Sequence, residues 1–195
     1  MATLENEGDV NAYFRNIMAE SERGKVILLA AKIDELLGEL LKRYFKPSRS
    51  KDEKDDKLFR VMGLLGTFSA RIEMAQRVGL ISREAANCLD LLRDIRNECA
   101  HGQVEFTYTQ GPNADRFRSF KEMSFKVSGM ERFFTLVEKV HVAEGGRVKY
   151  LQFMMLAMIH ILMLQDTLTR IKPIGDSFRS LENVKFGLEG LGIKS

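Results

Sequence analysis

Apolar residues along this chain return at intervals of three and four over most of its length. The clearest stretch holds Val26, Leu29, Ala30, Ile33, Leu36, Leu37, Leu40, Leu41 and Tyr44, the wide stripe of an amphipathic helix with one face in a core. It ends before Pro47, and a short helix is predicted ahead of it, over Val10 to Ala19. The charged run Ser48 to Lys57 reads as an exposed loop. Leu58 to Leu65 then enters another element, in which Gly63 and Gly66 weaken a helix. After Thr67, the positions Phe68, Ile72, Ala75 and Val78 keep helical spacing, with Gly79 as the stop. Ser82 suits an N-cap and Glu84 the first turn, where the helix dipole favours a negative charge. Ala85, Cys88, Leu89, Leu92, Ile95 and Cys99 stripe the helix that follows, from Arg83 to His101.

Past Gly102 the period changes. Val104, Phe106 and Tyr108 alternate with polar residues, which suits a short extended segment. Gly111-Pro112-Asn113 has the composition of a turn. Arg116 to Val127 fits neither period cleanly, and Met130 to Val140 suits a helix. A long helix is predicted from Arg147 to Ile171, between Gly145-Gly146 and Pro173. The sum is an all-α bundle of four to six helices in a single domain over residues 1–172. A Gly-containing tail, loosely held, is predicted over 173–195.

Composition narrows the class of protein. With 195 residues, 45% hydrophobic and 29% charged, the chain can bury one ordinary globular core. The net charge of +3 neither demands nor forbids nucleic acid, since clustering matters more than the total. The most apolar window, Leu151 to Leu164, is broken by Gln152 and His160. It falls short of the roughly 20 apolar residues that cross a bilayer, so it reads as a buried helix and no membrane partner is expected. The acidic start of the chain shows no secretory pattern. Cys88 and Cys99 share one helix, about 16 Å apart along its axis, too far to bridge. Both read as small buried residues of a reduced, cytoplasmic protein.

Candidate chemistry gathers at the end of the Arg83–His101 helix, in Arg96-Asn97-Glu98-Cys99-Ala100-His101-Gly102. Arginine brings a permanent cation shaped for phosphate, and histidine brings the side chain that titrates nearest neutral pH. A phosphate held between them would meet charge on one side and an acid/base on the other. The same residues also suit a structural role, because cations near a helix C-terminus interact favourably with its dipole. Spacing alone leaves both readings open.

Two family resemblances bear on the choice. The run Leu91-Leu92-Arg93-Asp94-Ile95-Arg96-Asn97-Glu98-Cys99-Ala100-His101 resembles the Arg-to-His signature of the HEPN superfamily. Gly63 to Ile72, Val78 to Ser82 and the Arg96–His101 motif, taken in order, are similar to the mannitol operon repressor (MltR) family, over about Val26 to Gly102. The HEPN resemblance implies a helical homodimer with a composite cleft, often a metal-independent endoribonuclease of toxin or defence systems. On this chain His101 would be the general acid or base at the ribose 2′-hydroxyl and leaving oxygen. Arg96 would stabilise charge on the scissile phosphate, and Asn97 would orient either one. The alternative, implied by the repressor resemblance, is a non-enzymatic transcriptional regulator or adaptor working through a protein partner, an antitoxin or regulatory protein; the nuclease is the reading the sequence favours, because Asn97 and His101 are both present and Gly102 leaves room around the imidazole. Direct major-groove reading is not expected, since no helix-turn-helix with a basic recognition helix is visible.

Around the motif, Arg71, Arg77, Arg83 and Arg93 would form a basic track for an RNA backbone if they share a face with Arg96. They would instead be ordinary charged surface if Arg71 meets Glu73 and Arg93 meets Asp94. Phe106 and Tyr108 would stack on unpaired bases or, more commonly, pack on the core. His160 reads as a hydrogen-bonded core histidine, and Met154, Met155, Met158 and Met163 as adaptable packing. No zinc spacing, Walker-type loop or dinucleotide fingerprint is present, so no cofactor or metal is expected.

Overall fold

A computed structural model describes residues 16–17, 19–48, 56–101, 111–131, 157, 160–161, 163–164, 166–168 and 170–172. Asn16, Ile17 and Ala19 are helical, within the predicted first helix. Four helices carry most of the described chain: α1 (Glu22–Tyr44), α2 (Phe68–Arg77), α3 (Arg83–His101) and α4 (Gly111–Ser124). Helical residues between 157 and 170 complete the core, and no strand occurs among the described residues. The protein is all-α.

Each helix starts and stops for a local reason. Ser21 caps α1, its hydroxyl accepting from the Gly24 amide at 3.1 Å, with Glu22 in the first turn and Lys42 and Arg43 in the last. Thr67 caps α2 in the same way, accepting from Ala70 at 3.2 Å. At the other end of α2, Leu80 donates to the Ala75 carbonyl and Gly79 to that of Gln76. Gly79 has φ of +76°, so the pair of bonds is a Schellman closure that needs glycine at its left-handed position. Ser82 then opens α3, accepting from Ala85 at 3.1 Å.

Packing puts α3 at the centre, against α1, α2 and α4, while α1 also packs on α2. Leu29, Ile33, Leu37, Leu40 and Leu41 of α1 are fully buried, as are Ile72 of α2 and Leu89, Leu92 and Ile95 of α3. One continuous apolar cluster runs from Ile17 to Leu164. Burying each such side chain contributes about 1.5–3 kcal/mol. The stripe read from α1 is therefore the inner surface of the bundle. Among the described residues no helix is long and apolar enough to cross a membrane.

Two segments differ from expectation. Gly111-Pro112-Asn113, predicted as a turn, begins α4. Proline is as well suited to the first turn of a helix, where its missing N–H has no partner to lose. The ambiguous stretch from Arg116 is helical to Ser124, with Phe117 and Phe120 turned into the core. Leu58 to Leu65 forms turns rather than a helix. Its glycines explain why: a Cβ on Gly63 would lie 2.3 Å from the Lys57 carbonyl oxygen, and one on Gly66 only 2.2 Å from that of Arg60. The predicted extended segment 104–108, most of the charged run, the stretch 132–156 and the tail 173–195 lie outside the described residues.

Candidate functional site

The motif ends a helix whose other residues fix it firmly. α3 buries Cys88, Leu89, Leu92, Ile95 and Cys99, so Arg93, Arg96, Asn97 and His101 are left on its outer and lateral faces. Arg96 is half-buried and donates through Nη1 to Asn97 Oδ1 at 2.9 Å. His101 is exposed at the last residue of the helix. Glu98 forms an ion pair with Arg116 that ties α3 to α4.

A second charged centre lies where α1, α2 and the 57–66 turns meet. Arg71 donates through Nη1 to Asp34 Oδ1 at 2.8 Å and to the Asp34 carbonyl at 3.2 Å. Its Nε donates to the Leu65 carbonyl at 2.9 Å. A Cβ on Gly38 would lie 3.4 Å from the guanidinium, ordinary van der Waals contact, so Arg71 packs directly against α1. Burial raises the Asp34 pKa above its ordinary value, with Arg71 and then Arg96 pulling it back down. Arg96 thus belongs to the electrostatic surroundings of Asp34 as well as to the motif.

The other arginines of the expected basic track are also engaged within the chain. Arg93 donates to Asp90 at 2.8 Å, to Asp94 at 2.9 Å and to Ser69 at 2.8 Å, pinning α3 to the start of α2. Arg77 pairs with Glu73 at 2.5 Å on the surface of α2. Arg71, Arg77 and Arg93 therefore each hold a carboxylate of this chain. Arg93 meets Asp94, as the surface reading anticipated, whereas Arg71 reaches Asp34 instead of Glu73. Phe106 and Tyr108 lie outside the described residues.

Sequence reasoning missed this three-point clamp, because Asp34 and Arg71 are 37 positions apart and no local period links them. It also missed the surface beside the clamp. Val61, Met62 and Leu64 are 85%, 97% and 78% exposed on the turns that Arg71 holds. Gly63 and Gly66 were the available signal, since a glycine pair among large apolar residues suggests tight turns as readily as a weak helix.

The remaining candidates are quiet chemically. Cys88 Sγ lies 3.1 Å from Ser124 Oγ, and burial pushes the Cys88 and Cys99 thiols up to about 12. Neither is a thiolate near neutral pH, so neither is a ready nucleophile. His160 is buried and stacks obliquely on Phe120, 5.8 Å between ring centres. It borders a mostly apolar cavity of about 170 Å³ with Leu80, Leu89, Met163 and Thr167. No group of three His, Cys, Asp or Glu among the described residues could hold a metal ion.

Comparison with known proteins places the fold. No family model matches the chain. No curated protein matches it either. Among solved structures, a chain of the MtlR–HPr complex from Escherichia coli superposes with a TM-score of 0.53 at 19% identity, over 82% of this chain and 95% of that one. At that identity the likeness concerns the fold alone: this chain has an MtlR-like helical fold.

Proposed function

We propose that this protein is a non-enzymatic regulator that acts by binding a protein partner, with HPr as the first partner to test. The observation that carries this reading is the fold it shares with a protein solved in complex with HPr. The resemblance to mannitol operon repressors over about Val26 to Gly102 points the same way. So does the arrangement of charge, in which Arg71, Arg77 and Arg93 are each bound to a carboxylate of the chain itself. A surface of self-paired arginines is a weak attractor for a phosphate backbone, which draws on cations able to release its counterions.

Titration of the purified protein with HPr in a calorimeter tests the proposal. Saturable 1:1 heat with micromolar or tighter affinity supports it, and the absence of heat at tenfold higher concentration rejects it.

The second reading is a metal-independent endoribonuclease built on Arg96, Asn97 and His101. The exposed imidazole at the end of α3 is what favours it, because an acid/base must be reachable by its substrate. Incubating wild type and His101→Ala with total RNA in EDTA separates the two. Cleavage by the wild type alone, leaving 2′,3′-cyclic phosphate ends, supports the enzyme. Homodimerisation is part of either reading and is measured by light scattering on the eluting protein.

A further inference from the structure

We propose that the cavity where the end of α2 meets the start of α3 binds a small uncharged aromatic molecule with one N–H or O–H donor, of the indole or phenol class. The inference is independent of the partner-binding reading above. The cavity measures about 170 Å³, and an apolar cavity of about 150 Å³ holds a benzene ring. One aromatic ring or a fused pair therefore fills it, whereas a lipid chain or a nucleotide exceeds it.

The walls are held open by the backbone. Leu80 stands at the mouth because its amide donates to the Ala75 carbonyl at 2.8 Å, in the closure that Gly79 makes possible. On the far side, the Val127 amide donates to the Ser124 carbonyl at 3.0 Å, and Gly129, with φ of +84°, turns the chain away. Val127, Leu89, Leu164 and His160 are buried and form the floor. An apolar space that cannot collapse lowers stability, and a guest that fills it recovers the lost contacts. Preformed walls also lose little entropy when the guest arrives.

The lining selects the chemistry. No Asp, Glu, Lys or Arg lines the cavity. The charged residues next to its lining in the sequence, Arg83, Glu84, Lys126 and Asp166, are all exposed. An ion moved onto that apolar floor would lose its hydration with no countercharge, so the guest is uncharged. Two lining hydroxyls have already committed their protons. Thr167 Oγ1 donates to the Met163 carbonyl at 2.8 Å, and Ser82 bonds the Glu84 carboxylate while accepting from the Ala85 amide. What both still offer is a lone pair. A guest that donates one hydrogen bond meets it, and the imidazole of His160 gives its ring an aromatic neighbour.

The test titrates the protein with indole, phenol, benzene and benzoate by calorimetry, and follows the methionine methyl resonances with indole added. The expected result is saturable, submillimolar binding of indole and phenol, with a shift at Met163 and none at Met62. Ala85→Leu, which adds bulk to the lining, should weaken indole about tenfold or more. Thr167→Val should weaken indole and phenol about three- to tenfold and leave benzene unchanged. Melting curves confirm that the variants fold; should Ala85→Leu fail to, Thr167→Val and the Met163 resonance still decide. Absence of saturable indole or phenol binding overturns the proposal, as does a shift at Met62 without one at Met163. Benzoate bound as tightly as phenol overturns the uncharged class. Loss of HPr binding in Ala85→Leu, where wild type takes up no indole, overturns the small-molecule assignment in favour of a partner's side chain.

Discussion

Arg71 and Arg96 stand on neighbouring helices, share the electrostatic surroundings of Asp34, and are held to very different degrees. Arg71 is 17% exposed and makes three bonds, two of them to backbone carbonyls of separate segments. Arg96 bonds the adjacent Asn97, five residues from an exposed histidine. The arginine inside the conspicuous motif is the freer one, and the arginine expected on an outer track is the one that joins three parts of the fold. Residue type and spacing therefore rank these side chains in the opposite order to their hydrogen-bond partners.

Removing Arg71 should break the comparison most forcefully. Arg71→Met leaves Asp34 and two carbonyls without their donor and should cost about 3 kcal/mol in urea unfolding. Gly66→Ala follows, at about 2 kcal/mol, because its methyl group would meet the Arg60 carbonyl and distort the turns that Arg71 clamps. Ser82→Ala should cost about 1 kcal/mol by uncapping α3. His101→Ala, on the same helix, should stay within about 0.5 kcal/mol. A loss of more than that would show that His101 holds the helix end in place, and the contrast with Arg71 would shrink.

Asp34 sharpens the same contrast through pH. Its pKa in the folded protein is raised, burial outweighing Arg71 and Arg96, so the folded state takes up this proton before the unfolded chain does. The contribution of Asp34 to stability is then present at low pH and lost as pH rises through the folded value, the reverse of an ordinary ion-paired carboxylate. Near neutral pH, Asp34→Asn should cost less than Arg71→Met, because the amide keeps an acceptor while shedding a costly charge. Urea midpoints followed downward from pH 6 should rise less, relative to neutral pH, in Asp34→Asn than in wild type.

Much of the fold is legible in the sequence, and the reason is local. The bounds of α3, its Ser82 cap and its apolar stripe follow from residues within a few positions of one another. The same holds for α2 and its Gly79 closure. What stayed hidden depends on distance along the chain or on a residue with two meanings. Pro112 suits a turn and a first helical turn equally. Gly63 and Gly66 mark weakness in a helix and necessity in a turn. The Arg71–Asp34 clamp unites helices whose sequences give no sign of meeting. The candidate site was legible as residue types, in Arg96, Asn97 and His101, and so was the pairing of Arg93 with Asp94, while the reach of Arg71 to Asp34 joins positions far apart along the chain.

The turns at 57–66 also set how this segment can drift over generations. Gly63 and Gly66 sit against backbone oxygens that no side chain can clear, while Val61, Met62 and Leu64 touch little within the molecule. A saturation library screened for folding alone should therefore be nearly barren at 63 and 66 and permissive at 61, 62 and 64.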